Sequence, residues 1–258
     1  TNSGTTPDVR ASRACAISTC AESDMETIKL IAIDLDGPLL VDTFSPIMYQ
    51  LCRDYYRIDY TRALERHTFS RPRAEVVAYI RQLVQATMSA QDLAKSTEQS
   101  LESYFEYRAE YLRHNPSGMR PEVPEFLDLL AGLEVTLLCY GGLAEQHMRD
   151  GLGRYAERFV QYVCTNDCRP GIREIIEEIH QVEPQQALFI DDVNFVAEHA
   201  RALRVPFIGV PSLAPWSWQK KDMQETGVRH IVDSVGQIDR AMLEAIDREA
   251  GSGDFWWR

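Results

Sequence analysis

Two short acidic runs hold the residues in this sequence best suited to chemistry. Asp34-Leu35-Asp36-Gly37 follows the apolar run 28–33, and Asp191-Asp192 follows the apolar run 187–190. Both apolar runs read as short buried strands, so each acidic group stands where a strand gives way to a loop. Carboxylates gathered at one edge repel one another unless a cation lies among them. Hard oxygen donors of this kind suit Mg²⁺, with water and phosphate oxygens completing its shell. Within Asp34-x-Asp36, one carboxylate can attack phosphorus while the other moves a proton. A like charge nearby raises the pKa of the second and helps it stay protonated for a leaving oxygen. A lone D-x-D-G also occurs in turns, where Asp accepts backbone hydrogen bonds. The second acidic pair at another strand end favours phosphoryl transfer over that plainer reading.

The elements that must position these groups alternate along the chain. Strands are expected at 28–33, 134–140, 159–164, 187–190, 206–210 and 228–232. Helices are expected at 124–133, after Pro170 through Ile172, Ile175, Ile176 and Ile179, at 193–203 and at 238–250. This order predicts an α/β fold: a Rossmann-like, doubly wound parallel sheet with helices on both faces. In such a sheet, ligands bind beyond the carboxyl ends of the strands. One long helical stretch interrupts the alternation. Leu51, Tyr55 and Ile58 recur at helical spacing, then Val76, Val77, Ile80 and Val84, then Leu101, Phe105 and Leu112. The expected organisation is a core of residues 25–42 and 120–250, a helical insert at 43–119, a disordered leader at 1–24, and a flexible tail at 251–258. The tail's Trp256-Trp257 pair either folds back on the body or docks a partner.

Composition narrows the function classes. The 258 residues are 45% hydrophobic and 26% charged, as in a soluble globular protein, with a net charge of −12. So acidic a chain is poorly suited to nucleic acid or an anionic membrane. No run approaches the roughly 18 apolar residues of a membrane span. There are 23 Arg against 4 Lys, a bias in the direction of a GC-rich, bacterial coding sequence. The cysteines, Cys15, Cys20, Cys52, Cys139, Cys164 and Cys168, are too unevenly placed for a disulfide scaffold. Cys164 and Cys168 have no second pair or nearby His to complete a zinc site. Free thiols in a reducing cytoplasm are expected. The leader has no apolar core and is not a secretory signal.

Over residues 28–250 the chain resembles the haloacid dehalogenase-like superfamily. Ile31-Ala32-Ile33-Asp34-Leu35-Asp36-Gly37 matches its first motif, hhhhDxDG, and Leu188-Phe189-Ile190-Asp191-Asp192 its fourth, hhhhDD. The resemblance implies that Asp34 is the nucleophile and Asp36 the general acid and base. It implies Mg²⁺ held by Asp34, the carbonyl of Asp36, Asp191 and Asp192, and a C1-type cap formed by the helical insert. Two motifs depart from the pattern. The second usually presents a Ser or Thr hydroxyl, often followed by Asn-Gly; here Cys139-Tyr140-Gly141 stands in its place. A thiol is a weak donor, so phosphate would lean on backbone N–H groups of Tyr140 and Gly141, beside Gly37. The third motif usually supplies a Lys before a Pro, and here Arg169-Pro170 occurs. Arg169 keeps the charge in a different geometry. Pro38 replaces the usual Thr. The family's dehalogenases lack the second Asp of the first motif, so Asp36 favours phosphoryl transfer.

The expected activity is a Mg²⁺-dependent phosphatase for a small anionic phosphorylated metabolite. A phosphomutase or phosphotransferase on the same site, and a catalytically weakened binding protein, are the alternatives. Residues 45–120 carry a net charge of +2, leaving −14 for the remainder. Seven arginines (53, 57, 62, 66, 71, 73 and 81) lie in the first half of the insert. They either attract an anionic substrate or pair with neighbours such as Asp54, Asp59 and Glu65. Tyr49, Tyr55, Tyr56 and Tyr60 line a pocket or a core, and His67 is the histidine of interest.

Overall fold

The computed structural model describes residues 25–86, 107–115 and 117–257. The expected leader and the periodic residues Leu101 and Phe105 lie outside them. Strand β1 (Leu30–Asp34) is buried along its whole length. Cover on both faces explains why its sequence is a continuous apolar run rather than an alternation. It is joined by β2 (Thr136–Gly141), β3 (Gln161–Cys164), β4 (Ala187–Asp191), β5 (Phe207–Gly209) and β6 (His230–Ile231). The spatial order is β3-β2-β1-β4-β5-β6 and every pairing is parallel. The winding direction therefore reverses between β1 and β4, where an open α/β sheet leaves a crevice at its carboxyl edge. Asp34 and Asp191 end those two strands.

The chain leaves the sheet at Val41 and returns at Gly118, where the Val41 N–H donates to the Gly118 carbonyl at 2.9 Å. Between these points run α1 (Phe44–Gln50), which continues through a wider helical turn at Leu51–Tyr56, then α2 (Arg62–Thr68) and α3 (Arg73–Gln85). A further helical stretch covers 107–114. Asp42 starts α1 by accepting from the N–H groups of Phe44 (2.8 Å) and Ser45 (3.2 Å). Thr61 caps α2 by accepting from Leu64 N–H at 3.2 Å. The insert has its own apolar centre, with Ile47, Leu51, Cys52, Leu64 and Val84.

The core helices are α4 (Val123–Ala131), α5 (Glu145–Leu152), α6 (Asn194–Leu203), α7 (Gln219–Thr226) and α8 (Arg240–Ser252). Helices α4, α5 and α8 cover the sheet face of Ile31 and Ile33. Helices α6 and α7, with Ile172, Ile175 and Ile176, cover the face of Leu30 and Ala32. Helix α7 has no apolar periodicity because two of its buried positions are polar, Gln219 and Asp222. Asp222 accepts from Arg62 Nε of α2 at 2.5 Å and faces Arg66 Nε at 3.2 Å. Buried Glu65 of α2 accepts from Trp218 N–H (2.7 Å) and Ser217 Oγ (3.1 Å). The insert is thus tied to the core through carboxylates on both sides. Arg62 and Arg66 pair across to the core rather than with neighbours in the insert, although Arg53 does pair with Asp54.

The tail expected to be flexible is seated on the core. Phe255 is buried, and Trp256 stacks on Phe207 with centroids 6.1 Å apart. Trp256 Nε1 also donates to the Val205 carbonyl at 3.2 Å. The gain from burying these rings explains why the preceding Gly-Ser-Gly does not leave them in solvent. Cys52, Cys139, Cys164 and Cys168 are free thiols. No helix among the described residues is long and apolar enough to cross a membrane.

The start of β1 is held by one side chain. Asp247 of α8 accepts from three successive backbone N–H groups, Glu26 (3.0 Å), Thr27 (3.0 Å) and Ile28 (2.7 Å). Asp247→Ala strands these donors in a largely buried site. Its expected cost is about 2–4 kcal/mol, read as a lower urea midpoint at unchanged m-value.

Candidate active site

Asp34, Asp191 and Asp192 stand at the carboxyl ends of β1 and β4, with relative exposures of 9%, 1% and 7%. Burial raises all three carboxyl pKa values, and Asp191 is lifted to about 6. Repulsion from Asp191 adds to the rise at Asp34 and Asp192, while the Arg169 guanidinium pulls Asp34 and Asp191 down. Asp191 is fixed at both oxygens. The Tyr140 hydroxyl donates to Oδ2 at 2.6 Å and the Val193 N–H donates to Oδ1 at 2.7 Å. The Asp192 carboxylate lies tight against Gly37. A Cβ at that position would sit 2.5 Å from Asp192 Oδ2, and φ there is +121°. Glycine is required on both counts.

Asp36 meets a residue that the sequence did not single out. His147 of α5 places Nε2 2.8 Å from Asp36 Oδ1. The loop after Asp36 is closed by the Gly37 N–H, which donates to the Leu40 carbonyl at 3.0 Å, and by Arg120 Nη1, which donates to the Gly37 carbonyl at 3.1 Å. Asp34, Asp36, Asp192 and Arg169 all face one cavity of about 280 Å³ between the sheet edge and the insert.

The residues expected to meet phosphate are not on that cavity. Cys139 pairs in register with Ile33, so its thiol enters the core on the face away from Asp34. Tyr140 shares the face of Asp34, but its ring is buried and its hydroxyl serves Asp191. Gly37 has committed its N–H to the Leu40 carbonyl. Gly142, Leu143 and Asn166 line the cavity instead, just past the ends of β2 and β3. The Arg169 guanidinium lies against Gly142, and a Cβ there would have to displace it. Tyr56 lines the cavity, while Tyr49 stacks on Trp216 with centroids 4.4 Å apart. His67 stacks on Tyr79 and is not on the cavity wall. Sequence reasoning missed His147, Asp42 and Asn166; Asn166, two residues past β3, is within reach of the strand-end rule that found Asp34 and Asp191, whereas His147 and Asp42 lie further from any strand end.

The donors fit a hard divalent cation: buried carboxylate oxygens with one guanidinium among them, at a sheet edge open to a cavity. Among the described residues, however, no three His, Cys, Asp or Glu side chains are already gathered as a cage.

No protein-family model matches the chain, and no curated protein does. Solved structures do. A beta-phosphoglucomutase from Clostridium difficile is 15% identical with a TM-score of 0.60, over 87% of this chain and 99% of its own. A haloacid dehalogenase-like family hydrolase from Streptococcus pneumoniae is 16% identical with a TM-score of 0.52, over 81% and 95%. This chain has the haloacid dehalogenase-like fold. A structure described as a predicted phosphoglycolate phosphatase from Haemophilus somnus agrees, at 18% identity and a TM-score of 0.54 over 82% and 96%. Within that fold, Asp34 and Asp191 occupy the switch point that the strand order creates.

Tyr140→Phe removes one of the two donors that hold Asp191. Leaving a buried carboxylate oxygen short of a partner costs about 1–3 kcal/mol, so the thermal midpoint is expected to fall by about 3–6 °C.

Proposed function

We propose that this chain is a Mg²⁺-dependent phosphatase that hydrolyses a small phosphorylated metabolite through an aspartyl-phosphate on Asp34. The observation that carries the reading is the opening of Asp34, Asp36, Asp192 and Arg169 onto a single cavity at the switch point of the sheet. An Asp34 oxygen attacks phosphorus, the bond from phosphorus to the alcohol oxygen breaks, and the Asp36 proton passes to that oxygen. Water then attacks the phosphorus of the aspartyl-phosphate and gives a proton to Asp36. The bond to Asp34 breaks and inorganic phosphate leaves. Arg169 offsets charge on the phosphoryl group.

Asp34, the Asp36 carbonyl, Asp191 and Asp192 are the groups that would hold Mg²⁺. When bound, it supplies neutralisation of the phosphate oxygens and of the carboxylates that Asp34 must approach. His147 is a positioning residue. By engaging Asp36 Oδ1 at 2.8 Å it leaves the other oxygen to serve the reacting group. The insert covers the cavity as a substrate-selecting cap. The cavity's contents are small and anionic on this reading, since arginines of the insert face it.

The test is phosphate release from para-nitrophenyl phosphate and a panel of phosphorylated metabolites. Release is expected to need Mg²⁺, to stop on chelation, and to fall to background in Asp34→Asn. His147→Ala is expected to lower kcat about 10- to 100-fold with little change in KM, and His147→Gln, which can still donate, to recover part of it. Formation of an isomer in place of free phosphate would mark a phosphomutase. A folded, Mg²⁺-binding protein that releases nothing would mark a binding protein.

A further inference from the structure

The walls of the cavity narrow the substrate of the phosphatase proposed above, and the inference that follows rests on that reading. Helix α3 turns one face to the cavity, with Arg73, Val76, Val77, Ile80, Arg81 and Val84 at the spacing of a single helical stripe. Met48 and Leu51, one turn apart along α1 and its continuation, form a second wall. These two walls are therefore mostly branched aliphatic and thioether groups beside Arg73, with Tyr56, Ser70 and Arg71 elsewhere on the lining. The Thr68 hydroxyl, also on the lining, is already donated to the Leu64 carbonyl at 2.9 Å. A sugar placed against these walls leaves hydroxyls without partners, which is costly. An apolar body placed there gains from every methylene it buries.

Charge is sorted along the same axis. The acids of the lining, Asp34, Asp36, Asp42 and Asp192, lie at the sheet edge and its first loop, whereas Arg81 and Arg108 come from the insert. Among the described residues, neither Arg81 nor Arg108 has an ion-pair partner. Arg71, just before α3, stacks on Phe195 of α6 at 3.4 Å, so α3 begins against the core. Arg81 lies two turns beyond Arg73, about 12 Å further along the helix axis. We infer that the substrate is a phosphate monoester of an apolar chain that ends in a second anionic group. The phosphate sits at Asp34, the chain runs along Val76, Val77, Ile80, Met48 and Leu51, and the far anion meets Arg81 and Arg108.

The test pairs turnover with binding, both with Mg²⁺ present. For turnover, 6-(phosphonooxy)hexanoate, n-hexyl phosphate and glucose 6-phosphate are compared by kcat/KM. The first is expected to exceed the second about tenfold and the third about 100-fold. For binding, hexylphosphonate is expected to bind at least about 30-fold tighter than methylphosphonate by calorimetry. Ile80→Asn should shrink the hexyl-to-methyl binding ratio, and Arg81→Gln the hexanoate-to-hexyl turnover ratio. If glucose 6-phosphate is turned over as well as or better than the hexyl esters, the inference is overturned and the phosphatase stands. If no ester is hydrolysed while hexylphosphonate still binds tighter and Ile80→Asn removes the difference, the apolar subsite stands and the phosphatase reading falls. Equal binding of the two phosphonates without turnover overturns both.

Discussion

Everything in this molecule is arranged around negative charge that the fold itself concentrates. A sheet ordered β3-β2-β1-β4-β5-β6 brings the ends of β1 and β4 together, and both of those ends are aspartates. Burial and mutual repulsion oppose ionisation there, so the carboxylates persist only with compensation from elsewhere. Asp191 receives it from a tyrosine hydroxyl and a backbone N–H, and Asp34 from the Arg169 field. Asp192 is wedged against a glycine that no other residue can replace. Compensation by local donors fixes the acids in place but does not neutralise them. The remaining negative charge is the physical case for a cation at this edge.

The insert depends on the same edge. It carries its own apolar centre, yet α2 is bound to the core through Asp222 and Glu65, two buried acids that satisfy groups on the opposite element. Buried charge pairs of this kind specify an arrangement more than they stabilise it, because desolvation offsets much of their attraction. Their effect is to seat α3 against the core at its amino end, which sets where its apolar stripe and its arginines face the cavity.

The parts of this architecture legible in the sequence are those where one physical demand acts alone. Continuous apolar runs ending in aspartate announced β1 and β4, since a strand covered on both faces has no polar positions to hide the signal. Helix α7 was illegible because its buried positions are a glutamine and an aspartate that serve other elements. His147 was illegible because its partner is 111 residues away and no spacing rule connects them. The face on which Cys139 lies follows from strand parity. A shift of one residue moves a side chain to the other face of the sheet, and Cys139 shares its face with Ile33, not Asp34.

Two departures from the family's motifs then become one. Arg169 occupies the place where the resemblance implies a lysine, and a guanidinium is wider than an ammonium group. Its Nη2 lies 1.7 Å from where a Cβ on Gly142 would stand. A side chain at that position, including an asparagine after the second strand, would require the Arg169 guanidinium to move. Gly142 after β2 and the arginine before Pro170 are therefore packed against each other. With the thiol of Cys139 turned into the core and Gly142 bare, the groups lining the cavity on this side are Gly142, Leu143, Asn166 and Arg169. On the proposed phosphatase reading, phosphate recognition rests on a planar, permanently charged donor, which can make two parallel hydrogen bonds to a phosphate where a hydroxyl makes one.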